Sequence, residues 1–90
     1  MNKADLIESL SGALDLPRGQ AERIVNAVFD EIVTGLKRGD KVNISGFGTF
    51  VVSDRKARTG RNPKTGEPID IPASKAAKFR AGKALKDMLN

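Results

Sequence analysis

The chain has 90 residues, one domain's worth, and sets 16 Lys and Arg against 11 Asp and Glu for a net charge of +5. A chain this short buries only about 60–68% of the surface it exposes unfolded, so its core is thin and a second subunit is a natural complement. It has no Cys, His, Trp or Tyr, which excludes disulfides, zinc–thiolate sites and imidazole catalysis near neutral pH.

Asn2 is placed to cap a helix, with Asp5 three residues on, near the positive end of the helix dipole. Leu6, Ile7, Leu10 and Leu14 then share one arc, predicting an amphipathic helix over residues 3–14. Leu16-Pro17 breaks it, and Pro17 suits the first turn of a second helix, although a hydrophobic Leu16 stands where a polar cap is usual. In that helix Ala21, Ile24, Val25, Val28, Phe29, Ile32 and Leu36 form one stripe, and Gly39 ends it as a left-handed cap. The period then changes. Residues 41–45 alternate like a strand, Gly46-Phe47-Gly48 makes a turn that sends Phe47 into a core, and Thr49–Ser53 opens a second strand. That strand continues through Arg61 into a stretch no hydrophobic core would accept. Residues 62–66 supply turn chemistry, and residues 68–72 alternate again as the chain returns. From Lys83 a short helix sets Leu85, Met88 and Leu89 opposite Lys83 and Lys86.

The charge is unevenly placed. Residues 1–40 carry five basic groups and seven acids, whereas residues 41–90 carry eleven and four. Between Arg55 and Lys86 there are ten basic groups and two acids, a field that attracts polyanions. The ten residues from Ser53 to Asn62 reach about 33 Å if extended, close to one turn of duplex DNA at ~34 Å. A ribbon this polar cannot bury itself and is marginal in water alone, so phosphate is the natural agent to order it. Arg55, Arg58 and Arg61 recur every third residue, which puts them on more than one face. Pro63 has two readings: a turn-former, or a rigid apolar ring that wedges between base pairs. Asn62 is open between turn residue and groove contact.

Two tempting motifs fail. The lone G-x-G at 46–48 lies between strands rather than before a helix, so it is no phosphate cradle. The opening helix pair is no DNA-reading helix-turn-helix, because its second helix includes Asp30-Glu31 and sits in the acidic half. The two apolar stripes, with Phe47, Phe50 and Phe79, are more than one small sheet can cover. Isologous dimerisation buries that surface and sets two arms side by side; one intramolecular core is the alternative.

Gly46–Phe50, Arg55, Arg58 and Gly60–Gly66, with Met1-Asn2-Lys3 and Gly82–Asp87, resemble the signature of the bacterial HU/IHF family over essentially the whole chain. The resemblance implies an α+β fold. It has an N-terminal helical hairpin, a three-stranded antiparallel sheet with a long β-ribbon arm, and a short C-terminal helix, assembled as an intertwined homodimer. Residues 1–40 are then the helical dimerisation part, 41–82 the sheet with its arm at about 53–74, and 83–90 the last helix. By the same resemblance, Arg55, Arg58, Arg61, Asn62 and Lys64 line the minor groove, and Pro63 intercalates. Lys75, Lys78, Arg80, Lys83, Lys86 and, more weakly, Lys3 meet phosphates. Phe29, Phe47, Phe50 and Phe79 are dimer core. Ala77 departs from the family's usual proline and loosens the expected rigidity before Phe79.

The expectation is a non-enzymatic architectural protein that binds double-stranded DNA with little sequence preference, bends it, and favours bent, nicked or gapped forms. It is expected in the cytoplasm, on the bacterial nucleoid, with no metal, cofactor, membrane or small-molecule partner. A sequence-selective IHF-type subunit with a different partner chain shares the arm motif, but the N-terminal region and the end at Asn90 look more like the HU branch. RNA binding lacks stacking aromatics, and a membrane-binding helix lacks length.

Overall fold

The N-terminal helix begins as its cap residues dictate. In the computed structural model, which describes residues 1–90, Asn2 Oδ1 accepts from the Asp5 amide and Asp5 Oδ2 from the Asn2 amide, each at 2.9 Å. This reciprocal box satisfies two otherwise orphaned donors and starts α1, Lys3–Leu14. Asp15 ends α1 in the left-handed region at φ 53°, and its amide donates to the Ser11 carbonyl. The Leu16 amide also donates to that carbonyl, at 3.0 Å. Helix α2 is Arg18–Lys37. Pro17 therefore precedes the helix rather than sitting in its first turn, and its carbonyl accepts from Gln20 and Ala21. Gly39, at φ +83°, caps the far end as the sequence suggests.

Two compact units divide the chain, Met1–Gly35 and Leu36–Asn90. In the first, Ile7, Ala21 and Val25 are buried, with Leu10 packed against them. The rest of both stripes is not covered. Val28 is 52% and Phe29 43% exposed, and both line an apolar groove of about 360 Å³ with Leu6, Leu10, Ile24 and Val25.

In the second unit, β1 (Val42–Ile44), β2 (Gly48–Arg55) and β5 (Ser74–Ala81) form an antiparallel sheet in the order β1-β2-β5. Phe50 stands opposite both Val42 and Phe79, and Gly48 opposite Ile44 and Ala81. By alternation, one face carries Val42, Ile44, Phe50, Val52, Ala77 and Phe79, and the other Thr49, Val51, Arg55, Lys78 and Arg80. The Phe79 ring lies 5.2 Å from that of Phe47 and 4.9 Å from that of Phe50, centroid to centroid. Phe47 nevertheless remains 44% exposed and Phe79 42%. The turn at Gly46, φ +78°, delivers Phe47 to an aromatic cluster that is open on one side in the single chain. Helix α3, Lys83–Leu89, follows a hydrogen bond from the Gly82 amide to the Phe47 carbonyl at 2.8 Å.

The arm departs from the single long ribbon expected. Strands β3 (Arg58–Arg61) and β4 (Pro68–Ile71) pair as a separate two-stranded ladder. Arg55 pairs with Ser74 below the break and Arg58 with Ile71 above it, so two residues drop out on each side and the register carries through. Pro72, lacking an N–H, lies in the gap and removes a ladder donor there.

Candidate nucleic-acid interface

Strand pairing sorts the arm's cations by face. Arg58 opposes Ile71 and Gly60 opposes Ile69, so these four share one face of the distal ribbon. A Cβ on Gly60 would lie 2.8 Å from Ile71 Cδ1, which shows how closely the isoleucine side chains cover that glycine. Ile69 is 43% exposed, a large apolar side chain on an element with no core beneath it. Thr59 opposes Asp70 and Arg61 opposes Pro68 on the other face. Arg58 and Arg61 therefore look in opposite directions, as their spacing implied, and the arm's one ladder carboxylate lies on the Arg61 side.

The tip joins these strands through residues 62–67. Asn62 closes it at both ends: its amide donates to the Glu67 carbonyl at 2.8 Å and its carbonyl accepts from Gly66 at 2.7 Å. Its side-chain Oδ1 also accepts from the Lys64 amide at 2.9 Å, spanning Pro63. Gly66 adopts φ +73°, and Thr65 Oγ1 accepts from the Glu67 amide at 3.3 Å. Pro63 and Lys64 are exposed at the end of the arm. Asn62 thus serves as a turn residue in the free protein.

At the arm's base, Asp54, Arg55, Lys56, Ala73, Ser74 and Lys75 line an open cleft where the ladder breaks. Arg55, Lys78 and Arg80 share a face of the body sheet. Lys75 does not: it stands opposite Asp54 on the Phe79 side. Lys83 and Lys86 lie on α3. On α1, Lys3 Nζ donates to Asn26 Oδ1 of α2 at 2.9 Å, which holds an ammonium group without neutralising it. Lys56 was not singled out from the sequence, yet it is an exposed cation lining the cleft. Its signal was there in the charge count but not in the arginine spacing. The Ile69–Ile71 strip was also missed as a surface, because alternation alone does not say that nothing covers it.

A sheet body extended by a cationic, proline-tipped ribbon suits a DNA-binding protein, and the comparisons with known proteins place the chain in such a family. The chain belongs to the bacterial DNA-binding protein family, whose model matches residues 1–90. It is 51% identical to the DNA-binding protein HU-beta of Pseudomonas aeruginosa, over the full length of both chains. It is 53% identical to DNA-binding protein HU 1 of Bacillus subtilis, covering 97% of this chain and 95% of that one. Among solved structures it resembles an Anabaena HU–DNA cocrystal structure with a TM-score of 0.88 and 38% identity, covering 99% of this chain and 97% of that one. HU from Thermotoga maritima matches with a TM-score of 0.69 and 26% identity, covering both chains completely.

Proposed function

We propose that this protein is a histone-like architectural factor. It binds double-stranded DNA with little sequence preference, lays its arms along the minor groove, and bends the duplex by inserting Pro63 between base pairs. The observation that carries the reading is the arm itself: a two-faced ribbon with arginine on both sides and an exposed proline at its end, in a fold shared with a protein crystallised on DNA. A helix reading bases in the major groove needs polar side chains aimed at base edges. This arm offers charge, apolar surface and a wedge, which suit phosphate, sugar and a deformable base step.

The working unit is a homodimer. The helical unit leaves Val28, Phe29 and Ile24 around an open apolar groove, and the same surface of a second copy is its natural complement. Phe47, Phe50 and Phe79 present a second incomplete apolar surface, and with Phe29 they supply the dimer core. Arg55, Arg58, Arg61 and Lys64 engage the groove. Lys78, Arg80, Lys83, Lys86 and Lys3 meet phosphates, and Lys75 does so from the other side of the sheet. The site of action is the bacterial nucleoid; no helix is long and apolar enough to cross a membrane.

Affinity on this reading comes mainly from counterion release. With about 6–10 phosphate contacts it falls roughly 10³–10⁵-fold between 50 and 200 mM salt on an intact duplex. Deformability adds selectivity, because a gap or nick lowers the cost of the kink. The test is a titration against two random-sequence duplexes, one intact and one with a central gap, at low and near-physiological salt. Tighter gapped binding that persists at the higher salt supports the reading. Equal affinities that vanish together reduce the protein to a basic polyanion binder.

A further inference from the structure

Resting on the reading of Pro63 as a wedge, we infer that Asn62 is a positioning residue for it: the Asn62 side chain sets the tip in its inserting shape before DNA arrives. The three hydrogen bonds of Asn62 divide by kind. Two use its backbone, to Glu67 and Gly66, and any residue can make them. The third uses the side chain, and its acceptor reaches over Pro63 to the Lys64 amide. The proline is thus held inside a closed ring of the Asx type, with its own φ fixed by the pyrrolidine and the following peptide fixed by Asn62.

This matters for a wedge more than for a turn. A ring entering a base step needs one orientation relative to the arm, and a tip free to rotate about the 63–64 peptide loses that freedom on insertion. Asn62 is partly buried while Pro63 is exposed, so the residue that fixes the shape is sheltered by the loop and the residue that acts is presented. Gly66, in the left-handed region, allows the chain to return to Pro68 without disturbing that ring.

The experiment compares Asn62→Ala, Asn62→Ser and Pro63→Ala in the full-length protein. Amide exchange at Lys64 is measured without DNA. Bending of an end-labelled gapped duplex is followed by energy transfer, and affinity is measured on intact and gapped duplexes. Asn62→Ala should expose the Lys64 amide to exchange and lower the bent fraction. It should weaken gapped-duplex binding about 2- to 10-fold, as loss of one hydrogen bond does. Asn62→Ser keeps an uncharged acceptor for the Lys64 amide and should restore most of both signals.

If Asn62→Ala bends DNA normally while Pro63→Ala does not, the wedge stands and the positioning role is overturned. If Ala and Ser variants lose bending equally with the Lys64 amide still protected, Asn62 is a direct groove contact and the inference fails. If Pro63→Ala bends as the parent does, the wedge reading falls and takes this role with it.

Discussion

Gly48 and Gly60 are both glycines in strands, and they predict opposite sensitivities. A Cβ on Gly48 would sit 2.5 Å from the Arg80 carbonyl oxygen and 2.5 Å from the Phe79 ring. The carbonyl belongs to the paired strand and cannot withdraw without opening the ladder, so Gly48→Ala should destabilise the fold by about 1–3 kcal/mol. On Gly60 the nearest atom is Ile71 Cδ1, the far end of a side chain that can change rotamer. Gly60→Ala should therefore shift stability by less than about 1 kcal/mol. Urea unfolding of the two variants side by side distinguishes them, and equal losses would refute the argument. The glycines themselves were evident in the sequence. What each one touches depends on a partner strand about 30 residues away for Gly48 and about ten for Gly60.

At the scale of the arm, the proposed function assigns its two faces different shares of binding. Arg61 lies on the Thr59–Asp70 face, whereas Arg58 shares its face with Ile69 and Ile71. If Arg61 neutralises a phosphate at the groove's edge, replacing it with Gln should lower the slope of log affinity against log salt by about 0.9. If the exposed Ile69 packs on sugar in the complex, replacing it with Ser removes that apolar contact and no charge, so affinity should fall with the slope unchanged. Titrations at four salt concentrations separate the two effects; a slope change with the isoleucine variant would contradict this division. The sequence made the arm legible because ten cations in 32 residues leave no core to hide in. It did not show the break at its base, since residues 56–57 and 72–73 look as extended as their neighbours. Only the pairing shows that Pro72 interrupts the ladder there.

For the whole molecule, the decisive quantity is the apolar surface that one chain leaves open. The helical unit buries Ile7, Ala21 and Val25 but leaves Val28 half exposed beside its groove. Val28→Asp places a carboxylate on that surface. If a second copy covers it, the dimer should weaken by about 3–5 kcal/mol. Sedimentation should then show monomer at concentrations where the parent is dimeric, and the midpoint of thermal unfolding should fall below the parent's at the same concentration. An unchanged mass and midpoint would remove this face from the interface. The apolar stripes themselves were readable from helical periodicity. Which part of each stripe faces inward was not, because a hairpin buries only the arc its two helices turn toward each other. Ile7 and Ala21 won that position, and Phe29 did not.

The uninterrupted register across the arm's base also constrains how such a protein can change in length. One residue added to a single strand above the break must be absorbed as a bulge. One added to both keeps the pairing but turns every distal side chain over, sending Arg58 and Arg61 to each other's sides. Two per strand restore both pairing and facing, and lengthen the arm by about 7 Å. Reach, in this design, is a quantity that comes in whole steps: descendants or redesigned versions that keep the same side toward the groove should differ by multiples of four residues.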